Sequence, residues 1–212
     1  MPRTTHDTRR MLVALALVFS LFAGQLLAAS SAPAGGVSST GRSMGQAGFA
    51  YLSGLRTFAA AVLWSRLEPL YHEYYDGRTT EQLKEFLPTM RLVQTLDPQF
   101  EQVYYNAAWI LYRRDRQTEA LSIARDGIAN NPNSGLLHAN YVQILLAMDK
   151  VKNLDEARRS AAIGLGPNAT WTSGDDKYEG YAIFRTVYQL QGDQATVDSI
   201  NQALAVLKTQ VK

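Results

Sequence analysis

Reactive side chains are sparse in this sequence, and the best-spaced pair is a histidine and an aspartate. His72 and Asp76 lie four residues apart in the run YHEYYDG, so a helix would place both on one face, where they could bind one metal ion. Two ligands with no second cluster fall far short of a closed metal site, and a surface hydrogen bond is the alternative interpretation. We therefore expect no metal and no cofactor.

Motifs for covalent or acid–base catalysis are missing as well. The chain has no cysteine and only 3 histidines, which excludes a thiol nucleophile and makes a nucleophile–base pair hard to assemble. No G-x-S-x-G, G-x-G-x-x-G, P-loop or H-E-x-x-H pattern occurs, and the adjacent Asp175 and Asp176 point apart on any regular element. The sequence predicts a protein that is not an enzyme, with a metal-dependent enzyme using His72 and Asp76 as a remote alternative.

The charge balance limits the partners. The 212 residues include 21 Lys and Arg against 19 Asp and Glu, and a net charge of +2 is too weak a field to argue for nucleic acid. An apolar fraction of 46% is that of a packed globular chain rather than a disordered one. This length allows one domain of ordinary size with an appendage.

An uncharged apolar run marks the N-terminal region. Residues 11–29 follow Arg3, Arg9 and Arg10, and as a helix they would span about 28 Å, close to the thickness of a bilayer core. Two interpretations are open: an uncleaved transmembrane anchor, and a secretory signal cleaved near Ala28. Because the basic residues precede the run, both predict a cytoplasmic N-terminus and an exported remainder, at the cell membrane if anchored and secreted or periplasmic if cleaved.

A linker separates this run from the folded part. Ser, Gly, Pro and Ala dominate residues 30–47, and no apolar period appears there. Residues 48–212 are predicted to form a helical domain. At its start, residues 49–75 read as one long helix and residues 80–96 as its partner, in which Pro88 must kink or restart the helix.

Prolines recur along this domain at a nearly fixed interval. Pro98 and Pro132 are 34 residues apart, and Pro167 follows after 35. A period near 34 is typical of a unit of two antiparallel helices and a turn. Small residues are needed where two such helices cross, because a large side chain would separate the backbones beyond about 8–10 Å. In residues 101–134 the small residues are Ala107, Ala108, Ala120, Ala124 and Gly127.

In this pattern residues 101–134 resemble a tetratricopeptide repeat, although Ala124 stands where the family has phenylalanine. The next unit has a three-residue insertion within residues 147–154, a last unit starts at about Lys177, and residues 67–98 fit as a degenerate first unit. The overall pattern is similar to that of small membrane-anchored tetratricopeptide proteins in bacterial genomes. The resemblance implies an all-α fold, a right-handed α-solenoid of three to four helical hairpins.

The last unit has the features of a terminal cap. Residues 191–193 predict a turn, and apolar residues then recur at helical spacing with polar residues opposite them. The apolar stripe is Val197, Ile200, Leu204, Leu207 and Val211. In the unit before it, His138 takes a core position and is predicted to be a buried, hydrogen-bonded histidine.

The resemblance also implies a groove that binds a protein or peptide. The groove positions are Gln102, Tyr105, Asn106, Trp109, Tyr112, Arg113 and Asn140. Aromatic rings offer rigid contact area, and Arg113 can pair with a carboxylate. The family often uses asparagine at the position shared by Asn106 and Asn140 to hold a ligand's backbone or terminal carboxylate, but no lysines complete that clamp here. Alternatively, the helix at residues 49–75 fills the groove and the aromatic residues belong to the core.

Trp171 lies in residues 168–177, the least helical stretch of the domain. A tryptophan in such a polar loop is either a contact for a partner or a plug folded over the repeats. Both interpretations stay open at the level of sequence.

These patterns predict a non-catalytic protein–protein interaction adaptor that is exported and tethered to the membrane. Its partner would be a protein or peptide segment held in the groove. The alternative is a structural or assembly subunit of a cell-envelope complex, of pilus or secretion type, or a self-associating protein that forms a homo-oligomer.

Overall fold

The computed structural model describes residues 51–52, 54–67 and 86–210. The chain divides into two compact units, Met1–Gly54 and Leu55–Lys212, and the description below concerns the second. The predicted signal or anchor at residues 1–29, the linker at residues 30–47 and the pair His72 and Asp76 lie outside the described residues. The boundary at residue 48 stays a prediction.

The described residues form eight helices and no strand, which confirms the all-α class. The helices are α1 (residues 54–67), α2 (Phe86–Leu96), α3 (Glu101–Arg113), α4 (Gln117–Asn130), α5 (Gly135–Met148), α6 (Leu154–Gly164), α7 (Gly174–Gln191) and α8 (Gln194–Gln210). From α3 onward they pack as three hairpins: α3 with α4, α5 with α6, and α7 with α8. Helix α5 also contacts α3 and α4, and α7 contacts α5 and α6, so the hairpins stack in chain order.

The recurring prolines lie in the connections that start each hairpin. Pro98 precedes α3, Pro132 precedes α5, and Pro167 precedes α7. A residue before proline avoids the helical region, so each proline helps to end the preceding helix. The side chain of Asn131 donates a hydrogen bond from Nδ2 to the Pro98 carbonyl at 3.3 Å, which joins two successive connections.

The predicted close crossings are confirmed in the first hairpin. Ala108, Ala120 and Ala124 are buried, and α3 and α4 pack along their length. A Cβ atom at Gly127 would lie 3.0 Å from Cβ of Tyr104, tighter than most contacts between real side chains. Small residues are therefore required where the helices meet, for the steric reason that the sequence indicates.

One helix boundary differs from the prediction, and the predicted insertion lies in a turn. Helix α7 begins at Gly174 rather than near Lys177, because Ser173 caps it: its Oγ accepts a hydrogen bond from the Asp176 amide at 3.0 Å. In the second hairpin the inserted residues lengthen the turn to residues 149–153. The Asp149 carboxylate closes that turn by accepting from the amides of residues 151 and 152, both at 3.0 Å.

The buried residues form two cores. The N-terminal core is built from α1, α2, α3 and one residue of α5, and comprises Ala60, Leu67, Phe86, Met90, Val93, Val103, Tyr104, Ala107, Ile110 and Leu137. The C-terminal core centres on α5 and joins residues of α3, α4, α6, α7 and α8. It includes the predicted stripe on α8, where Val197, Ile200, Leu204 and Leu207 are buried. Val211 lies outside the described residues.

His138 is buried in α5 and hydrogen-bonded, as predicted. Its Nε2 lies 3.0 Å from the Pro132 carbonyl oxygen, and its Nδ1 lies 2.8 Å from Oγ of Ser160. A carbonyl can only accept, so we assign the proton to Nε2 and let the Ser160 hydroxyl donate to Nδ1. Burial lowers the pKa of His138, against the opposing effect of the Pro132 hydrogen bond, and favours the neutral ring.

This lowered pKa predicts a pH-dependent stability. Below the ordinary histidine pKa of 6.5 the unfolded chain binds a proton at this position before the folded chain does. The free energy of unfolding is therefore highest above pH 6.5 and decreases as the pH falls below it, by up to about 1.4 kcal/mol per pH unit. In His138→Gln, an amide keeps a donor and an acceptor but does not titrate, so this part of the slope should vanish. Urea unfolding between pH 8 and 5.5 measures it, and identical slopes for both chains would contradict the assignment.

Candidate functional site

The residues predicted to line a groove lie along one face of α3. Arg113 is exposed and Asn106 is buried, whereas Gln102, Tyr105, Trp109 and Tyr112 are half-buried. These positions recur every three to four residues, close to the helical period, so they lie within one sector of the helix. The structure thus brings the six predicted positions of α3 together.

The three aromatic residues on this face have different surroundings. Tyr105 packs against the N-terminal core, and Tyr112 packs against the C-terminal core while donating a hydrogen bond to the Ala147 carbonyl at 3.0 Å. Among the described residues, Trp109 packs against neither core. Its ring meets that of Tyr112 edge to face, with centroids 5.6 Å apart. Trp109 is therefore the ring on this face that the core does not require.

Asn140 differs from the rest of the predicted set because it is buried in α5. Only 1% of its surface is exposed, and neither Oδ1 nor Nδ2 has a hydrogen-bond partner. An unpaired buried amide costs roughly 1–3 kcal/mol, so its retention calls for an explanation. The structure does not expose this amide beside the face of α3, and its role in ligand binding stays a prediction.

Trp171 covers part of α5. Its connecting segment, residues 165–173, is called the Trp171 loop below. The indole lies against Gly135 at the start of α5 and against Gly180 in α7, where added Cβ atoms would overlap the ring. The ring also packs on Tyr181 and Phe184, with centroids at 5.8 and 6.2 Å. This packing is the plug arrangement, and a contact of Trp171 with a partner stays a prediction.

Backbone hydrogen bonds hold the Trp171 loop in this position. The Gly135 amide donates to the Thr170 carbonyl at 2.8 Å, and the Thr170 amide donates to the Asn133 carbonyl at 2.7 Å. Together they form a short parallel bridge between Ser134 and Thr170. The loop is therefore fastened to the start of α5 by its main chain as well as by the indole.

A polar network connects the first two hairpins. The Arg125 guanidinium donates from Nε to the Tyr141 hydroxyl at 2.9 Å and pairs with the Glu156 carboxylate at 3.1 Å, while the Tyr141 hydroxyl donates to the same carboxylate. Burial raises the pKa of Tyr141 to about 12, with the Glu156 hydrogen bond acting in the same direction. The hydrogen bond from Tyr141 lowers the pKa of Glu156. These shifts reflect a structural network that joins the first two hairpins.

A cavity of about 490 Å³ lies on another side of α3, between α2, α3 and α4, and the sequence pattern does not indicate it. Its polar lining includes Arg91, Gln94, Arg114 and Arg116. The one available signal is the concentration of arginine around the turn at residues 113–116. Charge on a turn is ordinarily solvated, and only the packing of α2 turns these positions into the lining of a cavity.

The described part of the chain meets neither the requirements of a metal site nor those of a membrane-spanning helix. Within residues 51–52, 54–67 and 86–210, no group of three or more His, Cys, Asp or Glu side chains converges on a point where a metal could bind. No helix in that part of the chain has the length and apolar character needed to cross a bilayer. The apolar run at residues 11–29 lies outside it.

The fit of Trp171 between two glycines predicts a steric effect. In Gly180→Ala the new Cβ would overlap the indole, so the ring must leave its position, at a cost of about 1–3 kcal/mol. The matched control is Gly54→Ala, where an added Cβ meets no atom within 4 Å and alanine should stabilise the helix. Urea unfolding and acrylamide quenching of tryptophan fluorescence report stability and ring exposure. Equal behaviour of the two variants would show that the Trp171 loop has room to adjust.

Comparison with known proteins does not assign the chain to a family. No protein-family model matches the chain, and no curated protein sequence matches it significantly.

Proposed function

We propose that this chain is a non-catalytic adaptor of the tetratricopeptide type, exported and tethered or directed by residues 11–29. In this proposal it binds an extended or helical segment of another protein on the half-buried aromatic face of α3. The stacking supports the repeat assignment, because the first helix of each later hairpin contacts both helices of the hairpin before it. The buried small residues Ala120, Ala124 and Gly127 recur in the next hairpin as Ala157, Ala161 and Gly164, 37 residues later because of the three-residue insertion, and this recurrence supports it further.

Trp109 is the residue on which the proposal depends. Its indole is half-buried and is held edge to face by Tyr112, while the two cores pack without it. A ring in this position has an apolar surface that a partner could remove from water, at about 25 cal/mol per Å². Tryptophan and arginine are among the residues that most often dominate the energy of protein interfaces.

Polar groups at both ends of the face suit a peptide. Gln102 and Arg113 are eleven residues apart, which corresponds to about 16 Å along α3. An extended segment of about five residues spans this distance, as does a helix of about three turns. The amide of Gln102 could pair with the backbone of the segment, and the guanidinium of Arg113 with a carboxylate.

The Trp171 loop limits how far this surface extends. It packs over Gly135 at the start of α5, and Asn140 further along α5 is buried. A segment on α3 would therefore not reach the Asn140 amide unless the loop moved. The footprint that we propose is the face of α3 alone, which is smaller than the groove that the sequence resemblance implies.

Alanine substitution of Trp109 tests this footprint. Peptides selected from a random library on the purified full chain should bind Trp109→Ala about thirtyfold more weakly, a loss typical of an interface hot spot. The matched control is Phe58→Ala, which removes an aromatic ring that is 68% exposed on α1. Circular dichroism should show unchanged helicity for both variants.

Three outcomes would contradict the proposal: unchanged peptide binding by Trp109→Ala, equal losses in both variants, or loss of helicity in Trp109→Ala. The last result would place Trp109 in the core. Light scattering addresses the alternative class. If the mass rises with concentration and Trp109→Ala abolishes the rise, the face binds a second copy of the chain, and a self-associating structural subunit is the better assignment.

A further inference from the structure

The cavity between α2, α3 and α4 has an apolar floor. Met90 from α2, Ala107 and Leu111 from α3, and Ile123 from α4 all line it. The first three are almost fully buried, so they form a fixed surface rather than mobile side chains at the rim. A volume of about 490 Å³ lies within the range of sites for small molecules.

Positive charge surrounds this floor. Arg91, Arg114 and Arg116 line the cavity. Among the described residues, Glu119 pairs with two of these arginines: it accepts two hydrogen bonds from Arg116, at 2.7 and 2.6 Å, and its Oε2 lies 3.7 Å from the Arg91 guanidinium. In the described lining, three guanidinium groups and no carboxylate leave positive charge in excess at the rim. A guanidinium cannot lose its proton in this setting, so the excess persists at every physiological pH.

Gln94 adds an unused donor to the same lining. Its Nε2 is buried and has no hydrogen-bond partner, although the residue lines the cavity. A buried NH₂ group without an acceptor is rare and costly in folded proteins. Guanidinium and amide NH groups are all donors, so the complementary ligand must bring acceptors, and negative charge would improve the match.

This cavity and the face proposed for peptide binding lie on different sides of α3. The cavity is lined from α3 by residues 107 and 111, and the peptide face by residues such as 102, 109 and 113. At 100° per residue these two sets point in nearly opposite directions around the helix. A ligand in the cavity would therefore not compete directly with a segment on the peptide face.

We infer that the cavity binds a small amphiphilic anion, an alkyl chain or ring that ends in a carboxylate or phosphate. The apolar part lies on Met90 and Leu111, and the anionic head pairs with Arg91 and Arg114 at the rim. Arg116 is held mainly by Glu119 and contributes less. The Gln94 amide donates to an oxygen of the ligand inside the cavity. This inference does not depend on the adaptor function.

Titration calorimetry with octanoate tests the inference. The full chain is placed in lipid nanodiscs so that no detergent competes, and empty nanodiscs of the same lipid give the heat of partitioning. Octanoate should bind, and octyltrimethylammonium, which has the same chain and the opposite charge, should not. Octanol has the same alkyl chain as octanoate but no charge, so comparing the two shows how much the anionic head contributes to binding by the unaltered chain. Octyl phosphate and inorganic phosphate distinguish an amphiphile from a simple anion.

Variants locate the site. Arg91→Gln combined with Arg114→Gln should weaken octanoate binding at least about tenfold, because two charge-assisted hydrogen bonds are lost. Gln94→Leu should weaken it by a smaller factor. The matched control is Arg159→Gln, which removes an exposed arginine on α6, far along the chain from the cavity residues. Circular dichroism confirms that each variant is folded.

The inference is overturned if octanoate and octyltrimethylammonium bind equally, if inorganic phosphate alone binds as tightly as octyl phosphate, or if the double arginine variant binds octanoate as well as the unaltered chain. The peptide-binding test on Trp109→Ala is independent of all three results, so failure of one proposal leaves the other standing.

Discussion

The structure depends on how closely neighbouring helices can approach one another. In the first hairpin α3 and α4 meet at Ala108, Ala120 and Ala124, and Gly127 lies so near Tyr104 that even a methyl group would be crowded. This close contact fixes the rotation of α3 about its own axis. The rotation then determines which residues of α3 enter the cores and which reach solvent. A larger side chain at any of these positions would separate the helices and change both surfaces of α3 together.

Among the described helices α5 is the most buried, and its surroundings explain the unusual connection that follows α6. Residues 134–142 are buried without interruption, because α3, α4, α6 and α7 surround the helix and the Trp171 loop covers its start. Two glycines, Gly135 and Gly180, make room for the indole. Glycine in a helix costs about 1 kcal/mol relative to alanine, whereas burying a large aromatic ring gains more than two such losses. The Trp171 loop is thus packed against the helices and contributes to their stability.

The same helix, α3, has two surfaces of different chemistry. One carries half-buried aromatic rings with a guanidinium at one end, and it is the surface that we propose for peptide binding. The other forms the floor of a cavity whose rim holds three guanidinium groups and a buried amide donor without a partner. Because both surfaces are rigid parts of one packed helix, neither requires a conformational change to exist. They differ in their surroundings as well: on the aromatic face Tyr105 and Tyr112 pack against the two cores, while the cavity is bounded by α2 and α4.

Five features could be predicted from the order of residues, because proline, glycine and apolar spacing act over a few residues. They are the all-α class, the hairpin at residues 101–134, the small residues at its crossing, the turn at Gly192 and the burial of His138. The start of α7 was not predicted, because several neighbouring polar residues could cap the helix and only the structure shows that Ser173 does so. Three features follow from the packing of distant residues: Trp171 packs on Gly135 and Gly180, Asn140 is buried without a partner, and Arg91 and Arg114 border one cavity. Each depends on which distant residues the stacking brings together, and no short-range pattern encodes that.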